Sequence, residues 1–483
     1  MLGSAAMKPG RFEIVVLLLF VAIIGYQLFV PPLIGLADNG DFQRVFYPAG
    51  LREMPGPYYD KYFHYFNSRY LITPDQTRAE YQSSSILFAR VARRLNILFV
   101  DKHIFDIRML ASVYLVTYLF GIYLILVSSR RMRLRWRIPL AALLLFIFTD
   151  IAYTAYFNSF YCEPTALVCL VIIIGCSLVL ITGQSRGLIA LIAYFISAAI
   201  LITAKPMYVP FTLLFAAFGI YLSRLISMRH RYWLSGILAI ALIPLGIWAY
   251  SQTPALLRLN SNYIAIFTEL LKESPTPKQD LLDLGLNPDW IQYAGSSPYG
   301  HDSPLISDPS FRTEFMQRVD SLTFPKFLLA HPAQFYRMVS SNAEYIPTTL
   351  VPYSGYYEKE VGKPPLTKPP SPWTQVRRWI LPAHPWFLIT YFAFGLFAML
   401  IGIFKQLPEP WRGLLLLCGL LTAISAIEFV VPIVTMGGND PRYLGIFDLA
   451  FDTILILAIG SLLPLIELIW QKRREPSPKT AAT

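Results

Sequence analysis

Charge is scarce in this chain, and so are the residues that build metal sites and disulfide frameworks. Only 15% of its 483 residues are charged, against 55% hydrophobic, and it has four cysteines and six histidines. With a mean hydropathy of +0.48, the composition excludes an ordinary soluble protein. Cys162, Cys169, Cys176 and Cys418 fall in or at the ends of predicted helices, at spacings that match neither a zinc site nor a disulfide scaffold, and read as packing residues. No Walker or Rossmann fingerprint is present to supply a nucleotide cofactor. No internal repeat appears, and the two halves carry unequal loops, which counts against repeat-built transporters. The first apolar stretch runs into Pro31-Pro32 without a small-residue cleavage site, so it reads as a retained anchor rather than a signal peptide.

What the chain has instead is apolar length. A helix needs about 20 apolar residues to cross about 30 Å of hydrocarbon. Ten stretches approach that length, at about 13–36, 106–128, 138–157, 164–182, 187–204, 208–224, 232–250, 384–403, 413–432 and 443–469. The fifth and sixth are short enough to form one re-entrant hairpin. Short loops rich in Lys and Arg stay in the cytoplasm. Lys8 and Arg11, the run Arg130 to Arg137, Arg186, Arg224 with Arg229 and Arg231, Lys405 with Arg412, and Lys472 to Arg474 all fit one alternation. Both termini are then cytoplasmic, and much of the +11 net charge is topological rather than a nucleic-acid footprint. Two long segments, 37–105 and 251–383, face the other side. The first contains a stretch from Ser84 to Val100 with the apolar face and the arginines of an interfacial helix. The second is mainly helical from Asn260 to Tyr345 and irregular through its Pro- and Lys-rich part, Lys363 to Pro372.

This threading places three polar motifs at the same membrane face: Asp38-Asn39-Gly40-Asp41, Asn158-Ser159-Phe160-Tyr161-Cys162-Glu163, and Asn439-Asp440-Pro441-Arg442-Tyr443. Asp41 has the character of a general base for an acceptor hydroxyl, with Asp38, three positions earlier, holding the acceptor or a divalent ion if the turn is helical. The structural alternative is a helix cap and an Asn-Gly turn. Glu163 precedes Pro164 at the start of a helix, where the dipole favours an acid. Its neighbours Tyr156, Asn158, Ser159 and Tyr161 suit a polyhydroxylated ligand, and Asp150 lies about two turns back. Lys205, at a helix end on the face where basic residues are discouraged, is either a snorkelling cation or a phosphate ligand. Arg442 near a helix N-terminus opposes the dipole and needs an anion: a lipid phosphate, or Glu428, Asp440 or Asp448. Asp448 and Asp452 share one helix face and must meet the bundle interior or water. His301 beside Asp302, and Tyr353, Tyr356 and Tyr357, are weaker signals: such a histidine is usually just solvated, and such tyrosines usually form an interfacial belt, although sugar rings also stack on them.

An acid just after the first membrane helix, polar motifs on later loops, many helices and a long outer segment together resemble the GT-C superfamily of integral-membrane glycosyltransferases. Asn39-Gly40-Asp41-Phe42, Asn158 to Pro164, Ala204-Lys205-Pro206, Leu281 to Gly285, and His331-Pro332 near Phe335 look like bacterial WsfD-like glycan-biosynthesis hexosyltransferases. The resemblance implies a polyprenyl-phosphate sugar as donor and a glycan or lipid-linked sugar as acceptor. It implies Asp41 as base, Arg442 and Lys205 on the leaving lipid phosphate, and a bacterial inner membrane as the location. Asp440, Tyr443, Asp150 and His301 complete the candidate site residues, with Asn158, Glu163 and Asp38 as support for the acceptor or a metal. The first loop reads Asp-x-x-Asp where many members carry acid-x-acid, which leaves open both the need for Mg or Mn and the choice of base.

The expected fold is an all-α polytopic membrane protein, a single domain over 1–483. It has about ten transmembrane helices, a mainly helical GT-C-like cap made by the two long loops, and a cytoplasmic tail at 470–483. The competing readings are a lipid-linked-oligosaccharide flippase, whose charges should lie near the midplane, and a structural subunit, in which the acids would have no essential role.

Overall fold

A computed structural model describes residues 9–73, 81–183, 187–226, 230–300, 303–438 and 440–474, with the backbone alone for 231 and 463–474. His301, Asp302, Asn439, Lys8, Arg186, Arg229 and the tail beyond 474 lie outside the described residues.

Each of the ten apolar stretches is helical: α1 Arg11–Phe29, α2 Arg108–Ser128, α3 Leu134–Phe148, α4 Glu163–Ile181, α5 Gly187–Ile202, α6 Phe211–Ser223, α7 Arg231–Ser251, α8 Pro385–Phe404, α9 Trp411–Met436 and α10 Gly445–Arg474. Seven are long and apolar enough to cross a membrane, and an eighth span is completed if α3 is joined to the short helical segment after it. The expectation of about ten spans is therefore corrected among the described residues, because α5 and α6, at 16 and 13 residues, fall short of bilayer thickness.

The break after α3 has a local cause. Asp150 accepts the backbone N–H of Ala152 at 3.0 Å, starting a new helical turn at Ile151, and the two pieces meet at 52°. A side chain that caps a turn competes with continuation of the preceding helix. At the bundle centre α4 is apolar on every face and every one of its residues is buried, as expected for a helix surrounded by others. It packs against α2 on one side and α5 on the other.

The first long segment overturns the all-α expectation. It forms a small antiparallel sheet, β1 Leu51–Glu53, β2 Arg69–Ile72 and β3 Ile104–Asp106, with Leu51 opposite Ile72 and Tyr70 opposite Phe105. Leu51, Tyr70 and Phe105 point to one buried face. Phe160 packs against that face, 4.8 Å from Tyr70 between ring centroids, so part of the second polar motif is a core anchor. The helix Ser85–Phe99 buries Ile86, Ala89 and Ala92 and leaves Leu87, Val91, Leu98 and Phe99 exposed.

The second long segment has its own apolar core, built around Tyr263, Phe267, Trp290, Phe311 and Phe315, that reaches α8, α9 and α10. Its later part returns to the bundle as a strap. Gly355 accepts from Ala37 N at 2.8 Å and donates to Phe63 O at 2.7 Å, and Tyr357 O accepts from Phe66 N at 3.0 Å. Lys368 Nζ ties the strap to itself through the carbonyls of Val351 and Ser354 at 2.8 and 2.7 Å.

A candidate site built from three distant motifs

The strap, the turn after α1, the start of α4 and the start of α10 meet at one end of the bundle. The Asp38–Asp41 segment is a turn rather than a helix. Asp38 Oδ1 accepts from Gly40 N at 2.7 Å and from Phe42 N at 3.1 Å, while Asn39 Oδ1 accepts from Asp41 N at 3.2 Å. Gly40 sits at φ +97°, a conformation that suits a residue without Cβ. The expectation that both acids share a cavity is corrected for this reason. Asp38 is spent on its own backbone, and only Asp41 turns into the cluster.

Asp41 Oδ2 stands 2.8 Å from Arg442 Nη2, and its Oδ1 stands 2.9 Å from Arg44 Nη1. Arg442 Nε is 3.5 Å from Glu163 Oε1, the same oxygen that accepts from Lys205 Nζ at 2.9 Å. Asp440 Oδ2 is 3.5 Å from Arg442 Nη2 and receives the Tyr353 hydroxyl at 3.0 Å. Three carboxylates thus face three cations. Tyr161 and Tyr443 complete the walls: the Arg442 guanidinium lies 4.5 Å from the Tyr161 ring centre, and Lys205 Nζ lies 4.2 Å from that of Tyr443.

Local sequence explains how each group arrives. Pro164 in the first turn starts α4 and leaves Glu163 at its N-terminus, where the dipole favours an acid. Gly437, at φ +77°, ends α9 in the left-handed conformation that terminates many helices. The chain then turns through Asp440, which accepts from Arg442 N at 3.0 Å and aims the arginine inward.

Burial divides the roles. The Arg442 side chain is 2% exposed and that of Asp41 is 21% exposed, so the acid is the group an incoming molecule can reach. The Nε–H of Arg442 is buried and makes no hydrogen bond, its nearest acid being Glu163 Oε1 at 3.5 Å, so it is a weakly satisfied donor in a low-dielectric setting. Burial alone would raise the Asp41 carboxyl, but Arg44, Arg442 and Lys205 outweigh it and hold it at about 2. Burial pushes Asp38 up to about 7, against the N–H bonds from Phe42 and Gly40 and with help from Asp41 and Glu53. Burial disfavours charge on Lys205, yet the Glu163 carboxylate more than compensates and raises its pKa, so it stays protonated.

Besides Asp38, two named candidates lie outside the cluster. Asn158 Nδ2 donates to Leu28 O at 3.1 Å and Ile34 O at 2.8 Å, pinning the Pro31-Pro32 turn. Asp150 accepts from Trp373 N at 2.9 Å and from Ser371, and serves the break after α3. Asp448 is not a partner of Arg442. It pairs with Arg377, which also meets Asp452 at 2.8 Å, and Asp452 further accepts from Trp373 Nε1 at 2.6 Å. Arg377 and Arg44 escape a reading of the sequence, in which Tyr353 is only a weak signal; for Arg44 the i, i+3 spacing from Asp41 is the available signal.

Among the described residues, no group of three or more His, Cys, Asp or Glu side chains is placed to hold a metal ion. The acids of the cluster are paired with cations, and all three meet Arg442. Chemically, the arrangement offers one accessible carboxylate beside two buried cations, a combination that can accept a proton and bind an anion within a few ångströms.

No curated protein and no solved structure matches the chain. A family model does match it, over residues 5–481, and by that match this polytopic membrane protein belongs to the YfdI N-terminal transmembrane domain family.

Proposed function

We propose that the protein is a glycosyltransferase that moves a sugar, a hexose, from a polyprenyl-phosphate donor to a glycan or lipid-linked acceptor at the extracytoplasmic face of a bacterial inner membrane. The observation that carries this reading is the pairing of an accessible acid, Asp41, with a buried arginine, Arg442, whose Nε–H makes no hydrogen bond and is met only by Glu163 at 3.5 Å. A lipid phosphate offers it a closer acceptor.

In this reading the acceptor oxygen bonds to the anomeric carbon as the bond from that carbon to the phosphate oxygen breaks. The electron pair leaves with the lipid phosphate, and the acceptor proton passes to Asp41. Arg442 and Lys205 oppose the charge that grows on the phosphate, a preorganised effect that contributes about 3–4 kcal/mol per donor in acyl-transfer sites. Held at about 2, Asp41 is too weak a base for neutral pH. A phosphate seated on Arg442 competes for the guanidinium, and the proton affinity of Asp41 rises as that competition weakens its ion pair. Donor binding thus activates the base.

The deep acids Asp448 and Asp452 are the residues a flippase would need along its path. Both are tied to Arg377, and Asp452 also to Trp373, which supports a structural role for them and leaves the accessible chemistry at the bundle end. The test is to supply purified protein with a labelled polyprenyl-phosphate hexose. Transfer, or slow donor hydrolysis, is expected. Carriage of intact donor across vesicles without cleavage would replace the enzyme with a flippase.

A further inference from the structure

A cleft of about 450 Å3 opens beside the cluster, between the segment that leads into α6, the end of α9 and the helix Ala255–Tyr263. Its volume is in the range of small-molecule sites. Met207, Pro210, Val431 and Pro432 give it apolar walls. The charged residues lining it are Lys205 and Arg258, and no described acid borders it. Lys205 is committed to Glu163 at 2.9 Å. Arg258 is half-buried at the side of the cleft, and its guanidinium makes no hydrogen bond or ion pair with a described residue. A cation without a described partner, at the side of an apolar cleft that no described acid borders, suits a ligand that is apolar along its length and anionic at its head. The shared residue Lys205 joins the cleft to the ion-pair cluster, so such a ligand reaches the site without leaving the cleft.

We propose that this cleft seats the isoprenoid chain of the lipid-phosphate donor and that Arg258 is a phosphate-binding residue of that seat; the proposal rests on the donor class named above. The chain lies against Met207 and Val431, and the phosphate draws on Arg258 as well as Lys205. Because Arg258 has no side-chain partner among the described residues, its loss weakens the ligand and spares the fold, which separates it from Arg442.

The experiment measures binding of decaprenyl phosphate, decaprenol and phosphatidylglycerol to the full chain in detergent, with sugar transfer followed on the same samples. Arg258→Ala weakens decaprenyl phosphate about tenfold or more, as expected for a hydrogen bond to a charged group, and Arg258→Lys restores part of the loss. Decaprenol is indifferent to Arg258→Ala, and Val431→Trp, which fills the cleft, weakens both isoprenoids. Unchanged affinity for decaprenyl phosphate in both Arg258→Ala and Val431→Trp overturns the proposal, as does equal binding of phosphatidylglycerol, which marks a seat for bulk lipid. The binding arm contains no sugar and needs no turnover. Tight, Arg258-dependent binding without transfer therefore retains the cleft and removes the enzyme reading, whereas transfer with Arg258-independent binding does the reverse.

Discussion

Arg442 and Asp41, drawn from opposite ends of the chain, form an ion pair of 2.8 Å in which the cation is buried and the acid is not. The asymmetry matters because a buried charge cannot trade its partner for water. Any anion that enters must compete with Asp41, and whatever displaces Asp41 frees a carboxylate next to the displacing group. In the proposed reaction, binding and base activation become one event at a single arginine.

Replacing Arg442 with Lys keeps the charge and removes the fork that meets Asp41, Glu163 and Asp440 together. Turnover is expected to fall about 100-fold or more. Arg442→Gln should in addition lose about 3–5 kcal/mol of stability, since it leaves acids uncompensated. Thermal unfolding alongside the transfer assay separates the two losses.

Asp38 supplies a pH signature. In the unfolded chain its carboxyl ionises above 3.8, whereas in the fold it retains its proton until about 7. Folded stability therefore falls as pH rises from about 4 to 7 and then levels off. A rise from 3.8 to about 7 corresponds to about 4 kcal/mol at ~1.4 kcal/mol per pH unit. Asp38→Asn removes that penalty, so the variant should match wild type near pH 4 and exceed it above pH 7. Asp41 acts in the opposite sense: its stabilisation is present above pH 3.8 and is lost as the pH falls towards 2. An Asp38→Asn gain that does not grow with pH would contradict the burial argument.

Lys205 and Glu163 should show coupling. Lys205→Met or Glu163→Gln alone leaves a buried charge without its 2.9 Å partner, so the double variant should be more stable than the sum of the single losses predicts, by about 0.5–3 kcal/mol. Its turnover should remain lost. Restored turnover in the double variant would assign the pair to scaffolding.

Much of the fold is legible in the sequence because membrane helices announce themselves by length and apolarity, and all ten stretches are helical. The sheet is not, since strands of three or four residues in a Tyr-rich segment carry too little alternation to recognise. Five charged candidates, Asp41, Glu163, Lys205, Asp440 and Arg442, converge at one end of the bundle, each lying near a helix end in an apolar chain. Who pairs with whom depends on contacts between segments hundreds of residues apart, which no local pattern encodes. Asn158 and Asp150 mislead because a buried polar side chain serves a backbone turn as readily as a ligand.

Arg377 illustrates the same limit. It lies in a helix, Pro372–Ile380, outside the apolar stretches, yet it is fully buried between Asp448 and Asp452 of α10. Arg377→Ala should cost about 3–5 kcal/mol by stranding two acids. Arg378→Ala, one residue on and surface-exposed, should change stability by less than about 0.5 kcal/mol. Equal effects of the two substitutions would contradict the buried network.

The central claim is best tested by turnover of a saturating polyprenyl-phosphate hexose in Asp41→Asn against wild type, with donor binding measured on the same preparations. The account predicts retained binding and a fall in transfer and hydrolysis of about 100- to 10,000-fold. Undiminished turnover in the variant, or binding without turnover in either folded protein, would contradict it.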